Sequence, residues 1–440
     1  MSAGRIGRIG LVLVSLLLAT GLTVVGGAPA AAAPAPDHRS ITLFVPRPDP
    51  GAVSQLRQLL RAHDLRNAAL LARMISTPQA VWFTSGTPAQ VREQVHATMI
   101  EARRQHAVPV LVAYDIPGRD CAQFSAGGAL NQADYQAWID GFRAGLGHSR
   151  AIVILEPDAL GNMPSDCHLP ASVYPFTDEE RTAEINFAVD ALTRDRGVDV
   201  YLDGTHSAWQ AVGTITQRLL AAGVQRARGV YLNVSNYQPT PELVDYGTWI
   251  ADCIAVVTDP ANPLFGKPSA CASQYYPATQ SDFSTWGLTT RFYAEHLGSA
   301  VPTTHFVIDT SRNGAGPHDM TEFAGPPFDQ PSSVIAALAS GGWCNPPDAG
   351  LGLRPTTNTG TPLLDAYLWV KIPGESDGQC DAAGGVRAWD YSSFTEPGWP
   401  TTAADQHLFD PLWGMDDPAA GTWFPQQALQ LAQDANPRLR

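Results

Sequence analysis

AIVILEPDALGNM, residues 151–163, decides how this chain is read. It opens on an apolar run without polar alternation, the pattern of a strand buried on both faces. The run ends on Glu156-Pro157-Asp158 and a Gly-Asn turn. Two carboxylates at the end of a buried strand serve either the loop backbone or chemistry.

Comparable runs recur at SITLFV (40–45), AVWF (80–83), VPVLVAY (108–114), VDVYLD (198–203), ARGVYLN (227–233), THFVID (304–309) and AYLWVK (366–371). Amphipathic helical patterns lie between them, as in 53–63, 88–106, 135–146 and 179–195. Continuous apolar strands alternating with helices predict a parallel sheet covered on both faces, and this many units predict a closed barrel rather than an open sheet. The segments leaving these strands are polar: DIPGRDC after Tyr114, EPD after Leu155, DGTHSAW after Leu202, DTSRNG after Ile308 and IPGESDG after Lys371. In parallel α/β folds the loops at the carboxyl ends of the strands converge on one face, so these five form one binding or catalytic floor.

The acids on that floor are Asp115, Asp120, Glu156, Asp158, Asp203, Asp309, Glu375, Asp377 and Asp381; Trp82, Tyr114, Trp209, Trp343 and Trp369 lie in or near it. Carboxylates beside tryptophans suit a carbohydrate, whose ring faces stack on indole and whose hydroxyls meet carboxylates. Glycoside hydrolysis needs one protonated and one ionised carboxyl, and a neighbouring anion is one way to keep the first protonated. Asp120 and Asp158 are a candidate pair of this kind.

The chain starts MSAGRIGRIGLVLVSLLLATGLTVVGGAPAAAAPAP. Two arginines, an apolar stretch and an Ala-rich tail predict a signal peptide over 1–33, with a membrane anchor as the alternative. A linker at 34–39 and one catalytic domain over 40–440 complete the chain. The formal charge of -14 argues against nucleic acid as a partner, since neutralising phosphates takes a basic face. Six cysteines in an exported chain predict three disulfides. Fifteen pairings are open, and Cys121–Cys167, Cys253–Cys271 and Cys344–Cys380 are the simplest because each closes a local loop. The first would join the loops of Asp120 and Asp158. No Cys/His cluster suggests zinc.

VAYDIPGRDC, ILEPDALGNM, YLDGTHSAW, NVSNY, DTSRNG, WCNPPDAGLG, TTNTGTPLLDAYLWVKIPGESDG and AGTWFPQQALQLAQDANP, in this order across 40–440, resemble glycoside hydrolase family 6, the inverting cellulases. The resemblance implies a single-domain, distorted parallel β/α barrel of about seven strands, with a cleft at their C-terminal ends. It implies a secreted, monomeric β-1,4-glucanase without metal or other cofactor, free of the membrane after signal cleavage. By the same resemblance Asp158 matches the general acid, Asp120 the acid that raises its pKa, and Asp377 the base, acting directly or through a water chain. Trp82, Tyr114, Ser125, His206, Trp209, Asn236, Trp343, Lys371 and Glu375 match substrate-binding positions, and Asp203 an auxiliary acid near the cleaved bond. The compact segment after RDC points to an open-cleft endoglucanase; the long segment 379–422 points to a tunnel-forming cellobiohydrolase.

Plainer readings stand beside these. Glu156 satisfies loop backbone donors. Asp158 is a helix cap, Asp120 an ion-pair partner of Arg119, and Asp377 a turn residue. His206 is a buried hydrogen-bonding histidine, Trp343 packs on a disulfide, Trp369 is core, and Asp309 pairs with Arg312. Two other classes compete: a non-hydrolytic glycan-binding protein, and a metal-dependent esterase built on Asp203 and His206.

Overall fold

Seven strands, β1 (Val81–Phe83), β2 (Val110–Ala113), β3 (Ala151–Leu155), β4 (Val198–Asp203), β5 (Gly229–Leu232), β6 (His305–Asp309) and β7 (Leu364–Leu368), pair in sequence order, every neighbour parallel. The structure is a computed structural model and describes residues 41–380 and 387–439. The leader, the linker and Asp381 lie outside the described residues. Helices cross between successive strands, for instance Pro88–Arg104, Gln132–Leu146 and Asp178–Leu192. Among the described residues no helix is long and apolar enough to cross a membrane.

The absence of alternation in the strand sequences has a direct structural cause. Val110, Val112, Ile152, Ile154, Tyr201, Tyr231, Val307 and Leu368 fill the inside of the curl. The residues between them, Leu111, Val153, Leu155, Val200, Leu202, Val230, Leu232 and Ile308, pack outward on the helices. Register aligns Val112 with Ile154 and Ile154 with Tyr201, so inward side chains meet in layers.

The barrel is open rather than closed. β1 and β7 form no ladder; the Ala80 N–H donates to the Trp369 carbonyl at 2.9 Å and the Trp82 indole to the Val370 carbonyl at 2.8 Å. The run at 40–45 is not an eighth strand. Leu43 makes one isolated parallel bridge to Val108. Pro46, Pro48 and Pro50 come directly after it, and without N–H groups they cannot extend a ladder. Trp369 is core, in line with its plainer reading.

At the opposite end from the strand-end loops, an irregularity in the β6–β7 register leaves Asp365 unpaired in the ladder. Its carboxylate accepts from Tyr201 Oη at 2.6 Å, Arg228 Nε at 2.8 Å and His305 Nδ1 at 2.8 Å. Burial opposes its charge, but the His305, Arg228 and Tyr201 bonds outweigh burial and hold the carboxyl well below its usual range. A depressed folded-state pKa stabilises above the unfolded value and stops doing so as pH falls through the folded one. Asp365→Asn should therefore cost about 2 kcal/mol at pH 7, allowing for the half-exposed Arg228. The difference from wild type should shrink below about pH 4. Guanidinium midpoints at pH 7 and pH 3.5 check both statements.

Candidate active site

The strand ends carry unusual backbone. Asp120, Cys121, Glu156, Asp158, Thr205, Asn233 and Ser235 all have φ between 48° and 67°. Left-handed non-glycine residues cost on the order of 1–3 kcal/mol each and persist where surrounding contacts over-determine them. Those contacts are visible loop by loop.

Glu156 is fully buried, and its carboxylate accepts the N–H groups of Asp115 and Ile116, each at 3.0 Å. It thereby stitches the loop after β3 to the loop after β2, which is its plainer reading. Burial, only partly offset by these bonds, pushes its carboxyl up to about 8. Asp158 is half-buried. Its carboxyl is raised well above the ordinary range by burial first, then by the charges of Asp203, Asp120 and Asp377. Four acids from four strand ends thus share one electrostatic neighbourhood. Asp203, the last residue of β4, contributes more to it than Asp120 does.

Asp203 has a second task. Its Oδ2 accepts the N–H groups of Leu160 and Gly161 at 3.1 and 2.8 Å, and Oδ1 accepts that of Thr205 at 2.8 Å. It holds the segment next to Asp158, and burial leaves its carboxyl near 6 despite the three donors. The Trp209 ring lies on Gly161, where a Cβ would come within 2.4 Å of it, so that position admits no side chain. His206 lies 5.6 Å from the Trp209 ring, and its Nδ1 accepts the Ala208 N–H. Burial pushes the imidazole down to about 3, so it is neutral. Asp203 spends its carboxylate on three backbone N–H groups, and among the described residues it and His206 fall in no cluster of three possible metal ligands. Among the described residues, the side-chain groups close enough to share an ion are His318, Glu322 and Asp348, and Cys380, Asp410 and Asp417. Cys380 is tied in a disulfide.

Asp120 is fixed by the Ser125 N–H at 2.6 Å, not by a hydrogen bond from Arg119. The Arg119 guanidinium donates instead to the carbonyls of Thr84, at 2.7 Å, and Ser125, at 2.8 Å, and lies over the Tyr114 ring. Burial pushes Asp120 up to about 6, against the Ser125 N–H and the Arg119 charge. Tyr114 feels both Asp158 and Asp120, and Trp82 meets its ring edge-on at 5.5 Å. All three predicted disulfides are present, Cys121–Cys167 tying the Asp120 loop to the segment that follows Asp158.

Asp377 differs from the other acids. Its Oδ2 accepts from Arg312 Nη1 at 2.8 Å, the Asn345 N–H at 3.0 Å and Tyr237 Oη at 3.3 Å; Lys371 Nζ stands 3.3 Å from Oδ1. Burial alone would raise this carboxyl, but Arg312 and Lys371 outweigh it and hold it below the ordinary value. The proposed Asp309–Arg312 pair does not form. Asp309 instead accepts the N–H groups of Ser235, Ser311, Val370 and Lys371, a strand-end knot with no need of a cation. Arg312 turns to Asp377 and lies over the Tyr237 ring.

Glu375 is pushed up to about 7 by burial, against Lys371. Asn233 spends its amide on the Asp309 carbonyl and the Gln238 N–H, leaving Asn236 as the more exposed of the two. Trp343 tilts against Phe124 at 5.9 Å beside the Cys344–Cys380 bridge. Phe124 also covers Gly378, so the loops of Asp120 and Asp377 touch. Residue-by-residue reading passed over Arg312 as the partner of Asp377, and Tyr237 and Asn345 as its donors. The motifs NVSNY and WCN contained the last two.

The profile of glycosyl hydrolases family 6 matches residues 39–435. The chain is 32% identical over 325 residues to endoglucanase A of Thermobispora bispora, covering 74% of this chain and 56% of that one. It is 30% identical over 348 residues to the 1,4-β-D-glucan cellobiohydrolase CEL6A of Pyricularia oryzae, covering 75% and 58%. It thus spans little more than half the length of these curated relatives. Among solved structures it resembles the endoglucanase Cel6 from Mycobacterium tuberculosis in complex with methyl-cellobiosyl-4-deoxy-4-thio-β-D-cellobioside, with a TM-score of 0.60 and 32% identity over 90% of this chain and 97% of that one. The matched residues, 39–435, include all seven strands and the acids at their ends, and the chain belongs to glycosyl hydrolases family 6.

Proposed function

We propose that this protein is a secreted, monomeric β-1,4-glucanase that cleaves internal bonds of cellulose-type chains with inversion at the anomeric carbon. One observation carries the reading: the site drives the pKa values of two carboxyls apart. Asp158 is kept protonated by burial and by three acids, while Asp377 is kept ionised by Arg312 and Lys371. That is the division of labour between an acid and a base. Asp158 donates its proton to the leaving glycosidic oxygen, and a water attacks from the other face. Asp377 takes the water's proton directly or through a chain of waters. Tyr114, Trp82, Trp209 and Trp343 offer ring faces to the sugars, and Ser125, Asn236, Lys371, Glu375 and His206 offer polar contacts. The relatives' names include endoglucanases and cellobiohydrolases. The compact loop after Asp120, folded back so that Gly128 lies against the Ile116 carbonyl, favours the endo mode.

NMR of products released from cello-oligosaccharides tests the reading. The α-anomer should appear first; the β-anomer would overturn inversion, and no reducing sugar at all would point to a glycan-binding protein. Viscosity loss per reducing end from a soluble cellulose derivative separates endo from exo action. Asp120→Asn removes one of the charges that raise Asp158. The alkaline limb of its kcat/KM profile should therefore move to lower pH. An unmoved limb would reduce Asp120 to a structural role.

A further inference from the structure

Beyond Trp209 the chain presents two large aromatic side chains that the hydrolytic steps do not use. Tyr275 is 46% exposed and Tyr276 80% exposed. The segment bearing them is strapped down. Cys271 is bridged to Cys253 in the helix Thr240–Thr258. The carbonyls of Ala272 and Ser273 accept from the hydroxyls of Tyr293 and Thr289, at 2.7 and 2.8 Å. Gln274 is fully buried and donates to the Gln210 carbonyl at 2.9 Å, and the Ser273 N–H donates to the Tyr276 carbonyl at 2.7 Å. The segment is continuous with the cleft, because Tyr275 Oη donates to the Trp209 carbonyl at 2.9 Å, and the Trp209 ring rests on Gly161, three residues from Asp158.

We propose that Tyr275 and Tyr276 form an outer stacking subsite that takes glucosyl units of a β-1,4-glucan chain extending past Trp209. The inference rests on the glucanase reading and adds the place where a long chain is gripped. A single exposed aromatic needs no explanation. Two adjacent ones, held on a braced segment beside the cleft, leave apolar ring surface in water that burial would otherwise remove. A tyrosine ring gives a sugar's apolar face a large contact at little entropic cost, having two torsions to fix, and the Tyr275 hydroxyl is already held by the Trp209 carbonyl. The backbone brace means that none of the ordering is left for the moment of binding.

The test is the ratio of kcat/KM for cellohexaose to that for cellotetraose, so that a general loss of folded protein cancels. Tyr275→Ala/Tyr276→Ala should lower this ratio about tenfold through KM for the longer substrate. Tyr276→Phe keeps both rings and the Tyr275–Trp209 hydrogen bond, and should keep the wild-type ratio. An alanine variant with the wild-type ratio overturns the subsite, and so does a phenylalanine variant as impaired as the alanine one. Wild-type protein inactive on both substrates overturns the glucanase reading, and the subsite with it.

Discussion

Asp158→Ala should lower turnover of cellohexaose by about 10²–10⁴-fold, the range for removing a general acid. An unactivated alkoxide leaves only if it is protonated in the transition state, and Asp158 is the half-buried acid that burial and the charges of Asp203, Asp120 and Asp377 keep protonated. A dinitrophenyl β-cellobioside, whose leaving group needs no proton, should lose much less. Steady-state kcat on the two substrates is the measurement. Equal losses would mean that Asp158 shapes the site rather than donating a proton; no loss on either would remove it from the chemistry. The helix-cap reading predicts neither the size nor the substrate dependence of the effect.

Arg312→Met should destabilise the protein by about 3–5 kcal/mol at pH 7, because it strips the nearest cation from a buried carboxylate. Arg312 is fully buried, and Asp377 is nearly so. The sign with pH comes from the depressed pKa of Asp377. In wild type its pairing contributes fully above the unfolded carboxylate pKa and is lost as pH falls through the lower, folded value. In the variant, burial acts with less opposition and the carboxyl takes a proton sooner. The wild-type advantage should therefore be widest near neutral pH and narrow below about pH 4. Combining Arg312→Met with Asp377→Asn should recover part of the loss at pH 7, since no buried charge is then left unpaired. Urea midpoints of the two single variants and the double variant, at pH 7 and pH 4, measure the coupling. Strict additivity of the two substitutions would show that the pair carries no interaction energy.

Much of this site was legible along the chain. Asp203 and Asp309 end their strands and Asp120, Asp158 and Asp377 stand in loops that leave strand ends, and such ends meet whatever their separation in sequence. The burial of Glu156 against loop donors came from its place directly after a buried strand. What stayed illegible was which charge answers which. Asp309 and Arg312 are three residues apart and invite pairing, yet four backbone N–H groups satisfy Asp309 first. The nearer of the two cations facing Asp377, Arg312, comes from 65 residues away. Likewise, the neighbour charge that acts most on Asp158 is Asp203, whose more visible work is to bind the backbone at 160–161.

By itself, the amino-acid order determined the parallel α/β architecture and which acids gather at its strand ends, and it made simplest the disulfide pairing that the structure shows. These depend on local periodicity, on where apolar runs stop, and on short loops that a bridge can close. Only the tertiary structure decided that the barrel stays open between β1 and β7, that 40–45 supplies a single bridge, and that the Asp158 carboxyl is pushed up while the Asp377 carboxyl is held down. Those outcomes depend on desolvation and on distances through space. Coulomb energy scales with the dielectric and the separation that folding creates, and neither is a property of sequence spacing.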